Sequence, residues 1–143
     1  MLGLAAQWLG VTQTQANSVA PILISEEQGR HKSTFCRMLM PPQLARYYSD
    51  NLKLTAQGNP ERLLAEMGLL NMDEFDKFGA QKMPLLKNLM QMSSLNICKA
   101  YQKNFRSLPR IASFIGTSNR TDLLCDPTGS RRFICIEAEH DID

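Results

Sequence analysis

Apolar residues fall in short runs divided by polar segments, and their spacing alternates between helical and extended. Leu2, Ala5, Ala6 and Leu9 recur at helical intervals, which predicts a short amphipathic helix over residues 1–9. A polar loop covers 11–18, and the continuous apolar run 19–24 predicts a buried strand, weakened by Pro21, which lacks a ladder donor. After a polar loop at 25–31, residues 33–40 have helical character and stop at Pro41 and Pro42. Residues 44–48 predict a strand or a short helix. Asn59 as cap and Pro60 in the first position open a helix reaching about residue 67. Residues 69–72 predict a second buried strand, and residues 80–92 a helix with Pro84 in its first turn. Residues 96–101 and 108–112 predict a hairpin that turns at 102–107. The run 111–116 reads on as a strand ending at Thr117, Ser118 and Asn119, residues 126–129 as a turn, and 132–137 as a last, alternating strand. Strands separated by helices imply an α/β fold with a central, mostly parallel sheet flanked by helices.

The 143 residues suffice for one domain, read as an N-terminal helix and loop over 1–18 and a core over 19–140. No apolar run has the roughly 20 residues a membrane span needs. Cys36, Cys98, Cys125 and Cys135 form no Cys-x-x-Cys pair, and His31 and His140 are far apart. That argues against a zinc site or disulfide framework and for reduced thiols in a cytoplasmic protein. Net charge is only +2, yet no Asp or Glu occurs between Lys77 and Arg120. A stretch of one sign suggests a face that meets something negative.

The candidate chemistry lies at the ends of the predicted strands. The pattern Gly-x-x-x-x-Gly-Lys-Ser/Thr cradles phosphates, its lysine reaching the outer phosphates and its hydroxyl holding magnesium. Residues 26–33 match it in Lys32 and Ser33, between an apolar strand and a helix; Glu26 and His31 stand where glycines are expected, Gly29 keeps a glycine inside the loop, and Thr34 adds a second hydroxyl after Ser33. A carboxylate about 6 Å from a phosphate charge costs ~3 kcal/mol at an effective dielectric near 20. Glu26 and Glu27 therefore either point away or weaken binding. The strand at 69–72 runs into Asp73 and Glu74, adjacent acids that diverge at a strand end. One can support a magnesium shell while the other polarises an attacking water. Asn119 ends a later strand, where it could contact a terminal phosphate or orient the water, and Arg131 and Arg132 could supply an arginine to a neighbouring subunit.

Taken in order, the segments Gln28-Gly29-Arg30-His31-Lys32-Ser33-Thr34-Phe35, Asn71-Met72-Asp73-Glu74-Phe75-Asp76-Lys77, Ile115-Gly116-Thr117-Ser118-Asn119 and Asp126-Pro127-Thr128-Gly129-Ser130-Arg131-Arg132-Phe133 resemble the ATPase core of the virulence-associated protein E family. That family is similar to superfamily 3 helicases and is often found in mobile-element or phage primase–helicase proteins. The resemblance covers roughly residues 19–140 and implies a P-loop NTPase that uses ATP and Mg2+. It implies Walker A roles for Lys32 and Ser33, Walker B roles for Asp73 and Glu74, a sensor role for Asn119, and a trans-acting finger at Arg131 or Arg132. It further implies a ring or other homo-oligomer, and a chain that is a fragment of a larger protein.

Superfamily 3 helicases carry basic residues into a central channel on a hairpin before the sensor strand. Residues 96–110 are the candidate here, with Lys99, Lys103 and Arg106 interleaved by Tyr101 and Phe105. Aromatics can stack on the bases of single-stranded DNA while the basic residues hold its phosphates. Three functions follow: an ATP-hydrolysing, DNA-translocating helicase core; a nucleotide-binding regulatory module with little or no turnover; or a DNA-binding scaffold using only the basic face.

Overall fold

A computed structural model describes residues 2–10, 17–98, 104–120, 122 and 131–140. Five strands form one sheet in the order β2-β3-β6-β1-β7, and every neighbouring pair is parallel. They are β1 (Ala20–Ile24), β2 (Tyr48–Ser49), β3 (Leu69–Met72), β6 (Ser113–Ser118) and β7 (Phe133–Glu137). Two further strands, β4 (Ser94–Cys98) and β5 (Phe105–Pro109), pair antiparallel in a separate sheet. The helices are α1 (Leu2–Trp8), α2 (Lys32–Met38), α3 (Pro60–Glu66) and α4 (Met83–Gln91).

The three central strands explain the continuous apolar runs. β3 and β6 are buried at every position, as strands covered on both faces must be. Ile22, Ile24, Leu70, Met72 and Phe114 join Leu64, Leu86 and Leu89 in one core, on the side of α3 and α4. Leu23, Leu69 and Ile115 join Cys36 and Met40 in the other, against which Trp8 packs. Pro21 is tolerated because the β1–β6 ladder begins only after it, at Ile22. Gly116 sits where β6 is squeezed between its neighbours: an added Cβ would lie 2.6 Å from Cδ1 of Ile22 and 3.3 Å from the carbonyl oxygen of Met72.

Several local expectations are corrected. In α1 the buried side is formed by Leu4, Gln7 and Trp8, whereas Leu9 is 78% exposed. Trp8 fixes that orientation: its indole N–H donates to the carbonyl of Gly68 at 3.0 Å, and its ring lies where a side chain on Gly68 would point. Asn59 precedes α3 in a left-handed conformation and makes no side-chain cap bond. At 44–48, by contrast, the short-helix alternative holds, as a 3-10 helix over Pro42–Tyr47 that leads into β2. The first turn of the helix at residue 80 is likewise a separate 3-10 segment, Ala80–Lys82, and α4 begins at Met83.

The hairpin strands are earlier than expected. β5 ends at Pro109, and no strand covers 110–112, where the N–H groups of Ile111 and Ala112 both donate to the carbonyl of Leu64. Arg110, read from sequence as part of a basic face, is instead 1% exposed. One guanidinium nitrogen donates to the carbonyl of Asn17 at 2.8 Å, and the cation lies 5.6 Å from the centre of the Phe114 ring. Burial pushes its pKa down to about 10.

Candidate functional site

β1, β3 and β6 are parallel, so their carboxyl ends meet at one end of the sheet, where open α/β sheets bind ligands. The loop after β1 is tied to β6 by the N–H of Ser25, which donates to the carbonyl of Ser118 at 3.2 Å. The loop then passes through Gly29 at φ 87° and His31 at φ 53°, both left-handed, before α2 starts at Lys32. Glycine adopts that region freely; among other residues, histidine is one of the more tolerant. His31 thus takes the backbone conformation that a glycine would take there. Glu26 is not among the non-glycine residues with positive φ, so its position makes no such demand.

Lys32 curls back over this loop. Its ammonium donates to the carbonyls of Ser25 at 3.1 Å and Glu27 at 3.3 Å, and to Oδ1 of Asn119 at 2.8 Å. Burial and the neighbouring Arg30 hold it below the usual lysine range, against the opposing pull of Asp73. Ser33 donates to Oδ1 of Asp73 at 2.7 Å, and Thr117 donates to the same oxygen at 2.6 Å. Glu74 follows in a left-handed conformation, φ 51°, with its carboxylate on Lys77 at 2.5 Å. Strained backbone of this kind gathers at functional sites; among the described residues three non-glycine residues have positive φ, and two of them, His31 and Glu74, line one cavity.

That cavity has a volume of about 410 Å³ and is lined by Gly29, Lys32, Ser33 and Thr34 from the loop and α2, and by Asp73, Glu74, Thr117 and Asn119 from the other strand ends. The predicted loop, acid pair and asparagine therefore meet, with Lys32 and Asn119 in contact although they stand 87 residues apart in sequence. Glu26 and Glu27 do not line it. The carboxylate of Glu27 is committed to Arg30 at 2.9 Å, and Arg30 also donates to the carbonyl of Ala138 beyond β7.

Other predicted residues lie elsewhere. Arg131 and Arg132 precede β7, at the opposite end of the sheet, about 16 Å of strand from the cavity at 3.3 Å per residue. Arg106 is exposed on β5 beside Phe105, which is 74% exposed. Lys99, Lys103, Tyr101 and the turn at 126–129 lie outside the described residues. Part of the one-sign stretch is engaged elsewhere: Lys77 pairs with Glu74, Arg120 with Asp122, and Arg110 is buried.

The donor set suits a hard divalent cation with a phosphate ligand. Ser33 and Asp73 offer oxygen, and among the described residues no three His, Cys, Asp or Glu side chains cluster into an all-protein cage. Magnesium is usually held in this way, by one or two carboxylates together with substrate phosphates.

A family model described as the virulence-associated protein E-like domain matches residues 10–143. The chain belongs to that family. This virulence-associated protein E-like domain is also similar to solved apo structures of the NrS-1 C-terminal region. Two are each 23% identical and cover 98% of the chain, with TM-scores of 0.65 and 0.61. A third is 22% identical over 95% of the chain, with a TM-score of 0.58. These neighbours share the α/β fold, and the chain spans 33 to 35% of their length. No curated protein matches it. No described helix is long and apolar enough to cross a membrane.

Sequence reasoning passed over Thr117, Lys77 and the backbone strain at Glu74. Thr117 does stand two residues before Asn119, on the same side of an extended strand. That parity was its only visible signal.

Proposed function

We propose that the cavity binds a nucleoside triphosphate with Mg2+, that residues 19–140 form a P-loop NTPase core, and that the core hydrolyses ATP in work on single-stranded DNA. One observation carries the reading: Lys32, Ser33, Asp73, Glu74 and Asn119 converge from three strand ends on one cavity. Its volume lies within the range of small-molecule sites. The family membership and the shared fold agree with it.

In this reading Lys32 exchanges Asn119 for a phosphate oxygen while keeping its two loop carbonyls. Ser33 and Asp73 would hold the cation, which would supply charge neutralisation to the outer phosphates. Glu74 leaves Lys77 and accepts a proton from the attacking water as it orients it. Asn119, released by Lys32, is free to align the same water. Arg131 or Arg132 lies too far from its own cavity to serve it and would act in a neighbouring copy's, which requires a homo-oligomer. Arg106, with Lys99 and Lys103, would meet the DNA phosphates.

A second reading, nucleotide binding without turnover, draws on two features: the Glu74–Lys77 pair and the His31 that replaces a glycine. The ATPase rate of the parent and of Glu74→Gln, with and without single-stranded DNA, separates the readings. DNA-stimulated turnover that Glu74→Gln abolishes supports hydrolysis. Binding without turnover leaves the regulatory module, and no binding at millimolar ATP leaves a DNA-binding scaffold.

A further inference from the structure

The Thr117 hydroxyl stands between the two acids. Thr117 is 3% exposed; its hydroxyl donates to Oδ1 of Asp73 at 2.6 Å and accepts the backbone N–H of Glu74 at 3.3 Å. A hydroxyl can do both at once because it has one proton and two lone pairs. Ser33 donates to the same Oδ1, so two hydroxyl protons fall on one carboxylate oxygen and Oδ2 is spared by both. Glu74 then turns away from the strand direction in a left-handed conformation, φ 51° and ψ 53°. A non-glycine residue holds that conformation only where its surroundings over-determine it. The bond from its N–H to Thr117 is part of that constraint.

We infer that Thr117 is a positioning residue for both acids: it fixes the Asp73 carboxylate with Oδ2 free for a cation, and it anchors the turn that brings Glu74 to the cavity. The inference rests on the nucleotide-binding reading above, but one of its consequences can be measured without nucleotide. Thr117→Val keeps the shape and removes the hydroxyl, whereas Thr117→Ser keeps the hydroxyl.

In the nucleotide-free protein, hydrogen exchange at the Glu74 amide should quicken about tenfold in Thr117→Val and stay near the parent's in Thr117→Ser. Calorimetric ATP titrations in Mg2+ and in EDTA supply the second readout. Removing an outer-shell partner of a metal ligand typically costs tenfold or more. The Mg2+-dependent gain in ATP affinity should therefore fall about tenfold in Thr117→Val, with the affinity in EDTA within twofold of the parent. Should Thr117→Val not fold, Thr117→Ala and Thr117→Ser carry the same comparison. Unchanged Glu74 exchange and an unchanged Mg2+ gain in a folded hydroxyl-less variant would overturn the positioning role. So would a folded Thr117→Ser that loses as much. A parent that binds no ATP, with Glu74 exchange still dependent on the hydroxyl, would instead overturn the nucleotide reading alone.

Discussion

Replacing His31 by glycine tests whether the loop after β1 is held in its observed conformation before any ligand arrives. His31 has φ 53° and ψ 21°. The left-handed region costs an L-residue roughly 1–2 kcal/mol, with histidine at the tolerant end. Glycine removes that cost but adds about 0.4–1 kcal/mol of unfolded-chain entropy. His31→Gly should therefore be stabilised by about 0.5 kcal/mol. His31→Val should lose roughly 2 kcal/mol, because a branched Cβ is least at home there. Gly29→Ala is the cleaner control. Gly29 has φ 87°, and an added Cβ would meet nothing within 4 Å, so its expected net loss of about 1 kcal/mol, the left-handed cost less the unfolded-chain entropy that alanine saves, is conformational and involves no clash. Equilibrium urea unfolding with unchanged m-values reads all three. If the loop is preformed, ATP affinity in His31→Gly should also stay within about threefold of the parent, since under 1 kcal/mol is at stake. A His31→Val as stable as the parent, or a tenfold gain in affinity for His31→Gly, would refute this reasoning.

Two further outcomes are expected. Asn119→Ala should bind ATP about fivefold more tightly while losing turnover, because a charge-assisted bond to Lys32 no longer competes with phosphate; calorimetry showing weaker binding would refute the exchange. Burial pushes Cys36 from 9.0 and Tyr48 from 10.0 up to about 12 in the folded chain. The unfolded state therefore loses these protons first, and folding stability should fall as pH rises from about 9 towards 12. Cys36→Ala should flatten the early part of that fall in urea titrations at stepped pH, and an unchanged slope would count against the buried thiol.

The central strands were legible because burial on both faces writes an unbroken apolar run, as in β3. The hairpin was misplaced because β5 is largely exposed and carries no such run, so only Pro109 and the buried Arg110 mark where it ends. The stripe of α1 was misjudged because alanine and leucine suggested a face, whereas one bond from Trp8 to Gly68 selects another. Lys32, Ser33, Asp73, Glu74 and Asn119 were legible from their order after successive strands. Thr117 was not, because its role depends on β3 and β6 lying side by side in a register that sets Met72 opposite Gly116. No local pattern reports a register between residues 44 positions apart. Composition could not show that Arg110 of the one-sign stretch is buried or that Lys77 and Arg120 have partners.

The central claim is that Lys32 and its neighbours bind a nucleoside triphosphate, and calorimetric titration of ATP in Mg2+ into the parent and Lys32→Ala tests it most directly. Losing a charge-assisted bond worth about 2 kcal/mol should weaken binding roughly 30-fold. A parent that binds no ATP at millimolar concentration, or a folded Lys32→Ala that binds as well as the parent, would contradict the claim.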